Sequence, residues 1–227
     1  MRVPSISTMV IGVLTAAAIG QVACAGAANA SVIASSPTLP VLGVPYVAAV
    51  SAGCFPAVAK CIAPGSLTLT SVVSSTFNGA GQDIVANATY SGELTTLGGM
   101  PVGPVMLTGT LEEEVLGRTT STALGSWTTD LLALSLSGPV LAGTLTLGLD
   151  PAHSSSGTSS ITQVNSEDSG EFRISSFFDV FTELSLDNPP LSTTRGPIRV
   201  TLTTPEPTGL ALLLPALLGL VAVRRRR

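Results

Sequence analysis

Four groups of residues in this chain have types and spacings that could do chemistry: a carboxylate run, a single histidine, a pair of cysteines and a segment that is similar to a calcium loop. Glu112, Glu113 and Glu114 are consecutive. In a strand the first and third would project to one side about 7 Å apart, near the separation of a glycosidase pair. Such pairs normally come from different strands inside an aromatic-lined cleft. We therefore interpret Glu112 and Glu114 as a solvated strand end or edge guard.

His153 is the single histidine, and it lies in the turn-like polar segment 150–154. A general base needs a nucleophile and an orienting group, and no motif beside His153 supplies them. There is no Gly-x-Ser-x-Gly elbow, and Lys60 precedes Cys61 where a phosphate-binding loop has Ser or Thr. The sequence therefore predicts a surface histidine, no catalytic residues and a protein that is not an enzyme.

Cys54 and Cys61 are separated by six residues. In an exported chain such a pair forms a disulfide by default, so we predict a Cys54–Cys61 bond. Half of a zinc site is the alternative, but there is no Cys-x-x-Cys and His153 is some distance along the chain.

Residues 165–170 imitate the start of a calcium loop, with oxygen-bearing side chains and Gly170 in the sixth position. The twelfth position is Ser176, where such a loop has a bidentate Glu. We therefore predict no metal site and no cofactor.

Aromatic side chains are few, and four of the six phenylalanines fall between residues 172 and 181. In a strand Phe177 and Phe181 share one face and Phe178 takes the other. We expect core positions for these rings. Trp127 or Phe178 exposed beside carboxylates would instead indicate carbohydrate binding.

These residues need elements to position them, and the pattern predicts strands. Short runs rich in Val, Leu, Thr and Ser alternate with Gly, Pro and Asn, and helical periodicity is nearly absent. Period-two alternation marks seven segments: 66–72, 83–90, 105–111, 132–137, 143–149, 171–186 and 198–202. We predict an all-β fold, a single antiparallel β-sandwich or barrel-like domain over residues 66–203.

Two stretches interrupt this pattern. Residues 31–65 contain five prolines, which predicts an ordered arm that lies across the sheet and carries the disulfide. Residues 154–160 are rich in serine and predict an exposed loop.

Charge excludes one class of partner. The formal net charge is −4, and five of the ten basic residues are terminal: Arg2, Arg224, Arg225, Arg226 and Arg227. The body is therefore more acidic than the whole chain, which argues against nucleic acid as a partner.

The N-terminal 30 residues are typical of a secretory signal peptide. Arg2 precedes an apolar run from Met9 to Ile19, and Ala28-Asn29-Ala30 matches the pattern that signal peptidase accepts. We predict cleavage after Ala30. A retained anchor is less favoured because the run is about half of the roughly 20 residues that a membrane span needs. A lipoprotein signal at Cys24 is less favoured because Gln21 stands where such a signal has an aliphatic residue.

The C-terminal residues 204–227 combine three features in order. Pro205-Glu206-Pro207 precedes the apolar stretch 209–223, and the chain ends in four arginines, Arg224, Arg225, Arg226 and Arg227. As a helix the stretch would reach about 22 Å, short of a hydrocarbon core of roughly 30 Å. Pro215 would kink it. The four arginines favour a cytoplasmic position for this end, so we predict a short transmembrane helix that stays in the membrane only briefly.

This tripartite pattern resembles the PEP-CTERM sorting signal of Gram-negative bacteria. The resemblance implies an exosortase as partner, transient residence in the inner membrane and delivery to the outer surface or medium, often beside exopolysaccharide. Thr204 departs from the aliphatic residue that usually precedes the motif. The run 176–187, followed by Gly196-Pro197-Ile198, is also similar to uncharacterised all-β PEP-CTERM proteins, which implies fold and destination only.

The sequence thus predicts an exported, non-enzymatic structural or extracellular-matrix protein linked to exopolysaccharide or biofilm. A carbohydrate-binding or adhesive β-sandwich module, assisted by calcium or not, is the alternative.

Overall fold

The computed structural model describes residues 31–140, 143–164, 170–187 and 190–203. Three predicted features lie outside these ranges: the signal peptide 1–30, most of the calcium-like loop at 165–169, and the sorting signal 204–227. The predicted site residues that therefore lie outside the described chain are Ala28, Ala30, Pro205, Glu206, Pro207, Arg224, Arg225, Arg226 and Arg227. No helix in the described ranges is long and apolar enough to cross a membrane.

The described residues form twelve strands and one short 3-10 helix at Pro56–Val58. The first six strands are β1 (Val32–Ala34), β2 (Pro45–Ala48), β3 (Gly53–Phe55), β4 (Lys60–Ile62), β5 (Ser66–Phe77) and β6 (Gly81–Thr96). The other six are β7 (Pro101–Leu116), β8 (Gly125–Val140), β9 (Gly143–Leu149), β10 (Ser155–Gln163), β11 (Phe172–Asp187) and β12 (Pro190–Leu202).

The predicted all-β fold is confirmed, and its physical basis is side-chain alternation. Along β11 every second residue from Ile174 to Leu186 is buried, and the residues between are not. Phe178 lies on the buried face and Phe177 and Phe181 on the other, as predicted. Because successive side chains in a strand point to opposite faces, this pattern gives the sheet one apolar face.

Antiparallel pairing carries the sheet around a closed circuit. The circuit runs through β2, β5, β6, β7, β8, β10, β11 and β12, and β12 pairs with β2 again. Strand β9 pairs with the remaining halves of β8 and β11, so it continues the position of β10. The buried faces of these strands form one apolar core inside the closed sheet.

Residues 31–65 supply β1 to β4, each three or four residues long. They do not lie across the sheet as a separate arm: β2 is part of the circuit, β1 extends the sheet beside β11, and β4 extends it beside β6. The five prolines account for the shortness of these strands, because proline lacks the backbone N–H that a ladder needs.

The predicted exposed loop at 154–160 is wrong. Residues 155–160 open β10, which pairs with β8 and β11. Ser159 is buried, and its hydroxyl lies 3.0 Å from those of both Thr129 and Ser176. Hydroxyl groups that bond each other across strands remove the penalty of burying them. A Cβ at Gly157 would lie 1.8 Å from the Phe177 carbonyl oxygen, so glycine is needed for the close strand approach.

Candidate functional site

Glu113 is the carboxylate that the closed sheet turns inward. It lies in β7 between the buried Leu111 and Val115, and its own exposed fraction is 3%. Burial raises the pKa of Glu113 to about 7, because the charged form loses its hydration. Tyr46 lies within reach of this charge. Burial, and then the Glu113 charge, raise the pKa of its phenol well above the usual value.

Glu113 and Tyr46 line an interior cavity of about 50 Å³, whose other walls include Phe178 and Thr182. About 10 to 15 Å³ suffices for one water molecule, whereas ligand pockets occupy about 300 Å³ or more. The interior cavity therefore has room for a few water molecules beside the carboxyl group and is too small for an organic ligand of ordinary size.

Glu112 and Glu114 point to the opposite side from Glu113, as their spacing predicts. Strand β7 is hydrogen-bonded to β6 on one side and β8 on the other. Of the two alternatives, the edge guard is wrong because β7 is not an edge strand, whereas the solvated strand end agrees with the exposed Glu112 close to the end of β7 at Leu116. In the strand register Glu114 lies opposite Asp83 of β6 and Asp130 of β8, but no group of three or more acidic, histidine or cysteine side chains in the described chain is arranged to hold a metal ion.

Arg118 is a second buried charge, and it follows Gly117, whose φ of +80° turns the chain after β7. None of its surface is exposed. It donates hydrogen bonds to the carbonyl oxygens of Pro37 at 2.6 Å and Ser121 at 2.8 Å, and to the side-chain oxygen of Gln82. Arg118 therefore ties together three segments that are distant in sequence.

No carboxylate neutralises Arg118 within the described chain, and its Nε–H has no hydrogen-bond partner there. Two rings take the place of a counter-ion: the guanidinium carbon lies 5.7 Å from the centroid of Phe77 and 5.6 Å from that of Trp127. A ring face attracts a cation more strongly where water is excluded. Burial lowers the pKa of Arg118 below its ordinary value.

An open groove of about 460 Å³ lies over this arginine, between residues 34–42 and the second half of β5. We call it the Arg118 groove. Its walls carry the hydroxyl groups of Ser36, Thr38, Ser75 and Ser121. The volume falls within the range of ligand pockets, roughly 300 to 1,000 Å³. The groove could hydrogen-bond a polar ligand, but it brings no acid, base and nucleophile together.

His153 lies on the surface in a turn after β9, as predicted, with 56% of its side chain exposed. The structure adds an orienting group that no sequence motif indicates. Its Nδ1 lies 2.9 Å from a carboxylate oxygen of Asp150. Its ring stacks on Phe181 with centroids 4.8 Å apart. No hydroxyl or thiol nucleophile within the described chain bonds this ring. Asp150 therefore orients His153, but His153 has no nucleophile to activate.

The aromatic residues do not form a free platform. Phe178 is buried with 4% of its surface exposed, and Trp127 is half-buried against the core. Because neither ring stands exposed beside carboxylates, the arrangement expected of a carbohydrate-binding face is not formed by these two residues.

The predicted disulfide between Cys54 and Cys61 is confirmed. The two residues face each other across β3 and β4, with Cα atoms 4.0 Å apart and an S–S distance of 2.04 Å. No cluster of three or more potential metal-ligating residues occurs in the described ranges. The disulfide cross-links the β3–β4 hairpin, which is joined to the rest of the sheet by the pairing of β4 with β6.

Replacing both cysteines by serine is expected to lower the free energy of unfolding by about 2 kcal/mol, because the disulfide closes a short loop in the unfolded chain. Urea unfolding of the variant and of the parent protein measures the difference. A reducing agent serves as the control: it should cause the same loss in the parent and none in the variant. An unchanged midpoint in both would contradict a stabilising role.

Glu113 and Arg118 are the residues that sequence reasoning missed. Glu113 carried a usable signal, since period-two alternation from Leu111 to Val115 assigns it to the buried face. No sequence signal marked Arg118 as buried, because its hydrogen-bond partners are two carbonyl groups and a side-chain amide, most of them far away in sequence.

Comparison of the chain with protein-family models, with curated protein sequences and with solved structures gives no match.

Proposed function

We propose that this chain is an exported, non-enzymatic structural or surface protein. A barrel-like β body would be carried through the inner membrane, cut near Pro205-Glu206-Pro207 by an exosortase and delivered to an exopolysaccharide-containing matrix outside the cell. The C-terminal pattern of Pro-Glu-Pro, short apolar stretch and arginine cluster is the observation that carries this proposal.

Two features of the body support it. The Cys54–Cys61 bond suits an oxidising compartment outside the cytosol. The cavity beside the buried Glu113 is too small for an ordinary organic ligand, and no hydroxyl or thiol group in the described chain bonds the ring of His153; both features suit a structural role.

Carbohydrate binding is the alternative function, and the Arg118 groove favours it. The groove is open, is lined by hydroxyl groups and is flanked by Phe77, whose exposed fraction is 39%. Hydroxyl groups and an aromatic ring are the contacts that a sugar uses.

The proposal is tested through the sorting signal. Replacing Glu206 by alanine, or deleting the four terminal arginines, is expected to leave the full-length precursor in the inner membrane; the deletion removes Arg224, Arg225, Arg226 and Arg227. The arginines hold the chain end at the cytoplasmic face, and Glu206 lies in the motif that the protease would read. Cell fractionation with intact-mass measurement gives the position and both ends of the product.

Glu171→Ala is the matched control, since it changes an exposed glutamate of the body. This variant should be processed like the parent, giving a product that begins at Ser31 and ends near Pro205. Equal release of the parent, the control and both tail variants would overturn the sorting proposal.

A further inference from the structure

Strand β5 has an open edge along its second half. β2 covers this edge only at residues 66–68, and Gly43 donates one hydrogen bond to the Leu69 carbonyl. From Thr70 to Phe77 the only strand of the described chain paired with β5 is β6, on the other side. Because the backbone groups of successive residues point to alternate edges of a strand, about half of these eight residues present donors and acceptors on the open edge, to solvent or to another chain.

The side chains of this stretch are exposed as well. All residues from Thr70 to Phe77 are exposed, including Val72 at 40%, Val73 at 59% and Phe77 at 39%. Leu42, exposed at 44%, lies across the Arg118 groove. An apolar group of this kind beside an open strand edge is a template for pairing with a further strand.

Strand β12 also has an open edge in the described chain, and the residues on that edge discourage pairing with another strand. β12 pairs with β2 only at residues 200–202, and along the exposed part of its free edge it carries Arg195, Pro197 and Arg199. Charged residues and proline discourage pairing between edges. Between Ser66 and Phe77, β5 has neither a charged residue nor a proline.

We infer that the Thr70–Phe77 edge of β5 pairs antiparallel with the same edge of a second copy of this chain. A second copy fits this strip because two acidic bodies repel each other least where neither carries a charge, and Ser66–Phe77 carries none. An antiparallel edge also complements itself about a twofold axis, which places Val73 of each copy near the centre. The bulges in β5, between Leu69 and Ser71 and between Val72 and Ser74, leave Ser74–Phe77 in regular register.

The test is sedimentation of the full chain at concentrations up to about 100 μM, a range that detects even weak pairing. The parent is expected to form a dimer. Val73→Lys should weaken dimerisation by about tenfold or more, because it places two positive charges face to face at the centre of the interface. Met106→Lys is the matched control: Met106 is 62% exposed, but it lies on β7, which is separated from β5 by β6.

Both lysine variants should keep the thermal midpoint of the parent, since both sites are exposed. With Cys24 replaced by serine, a Ser74→Cys variant should form a disulfide-linked dimer upon oxidation, and the Cys24→Ser variant alone should not. A parent that remains monomeric would overturn the inference. Equal self-association of the parent, Val73→Lys and Met106→Lys would overturn it too, because pairing would then use another surface or the C-terminal tail.

Discussion

Replacing Arg118 by alanine is expected to lower the free energy of unfolding by about 3 to 4 kcal/mol. The substitution leaves the carbonyl groups of Pro37 and Ser121 and the side chain of Gln82 without their donor, and it opens a cavity between two rings. Removing an uncompensated charge offsets a part of this loss, so the range is below the sum of the separate effects. Urea unfolding followed by circular dichroism measures it.

Arg195→Ala is the control. Because Arg195 is exposed, this substitution should change the free energy of unfolding by no more than about 0.5 kcal/mol. Amide hydrogen exchange locates the effect. The Gly43 amide, which donates to the Leu69 carbonyl at the end of the segment that Arg118 bonds through Pro37, should lose protection in Arg118→Ala and keep it in Arg195→Ala. A loss below about 1 kcal/mol with unchanged protection would show that Arg118 does not hold this segment.

The two buried charges differ in how far the sequence could reveal them. The strands were predictable because alternation is a local signal, and each of the seven predicted segments falls on a strand of the sheet. Glu113 follows from the same signal, since it interrupts a run of inward apolar residues in β7. Arg118 depends on contacts with residues 36 and 81 positions away, which no local pattern encodes.

The prediction of an exposed loop at residues 154–160 was wrong for a related reason. Serine and glycine favour loops when each residue is considered alone. In β10, however, Ser159 and Ser160 find hydroxyl partners on neighbouring strands, and Gly157 allows the Phe177 backbone to approach. The edge assignment of Glu112 and Glu114 was wrong because strand order, which decides whether β7 is an edge, is a property of the whole sheet.

Glu113 leads to the last prediction: the protein should lose about 2 to 3 kcal/mol of stability between pH 5 and pH 8 through this group. Burial raises the pKa of Glu113 in the folded state from 4.5 to about 7. Between these values the folded chain binds more protons than the unfolded chain, so stability falls as the pH rises and levels off above pH 7. Urea unfolding at several pH values gives the slope.

Glu113→Gln keeps the shape of the side chain and removes its charge, so it should be about as stable as the parent at pH 5 and more stable at pH 8. Glu112→Gln, on the exposed face of the same strand, should keep the slope of the parent. Hydrogen bonds from the Ala152 backbone and His153 lower the pKa of Asp150, and hydrogen bonds from Arg199 lower the pKa of Asp179. Both carboxylates therefore titrate below pH 5 and do not contribute to the slope between pH 5 and pH 8. If Glu113→Gln retained the full slope of the parent, the carboxyl group inside the sheet would be hydrated well enough to ionise freely, and the interior cavity would have to be open to solvent.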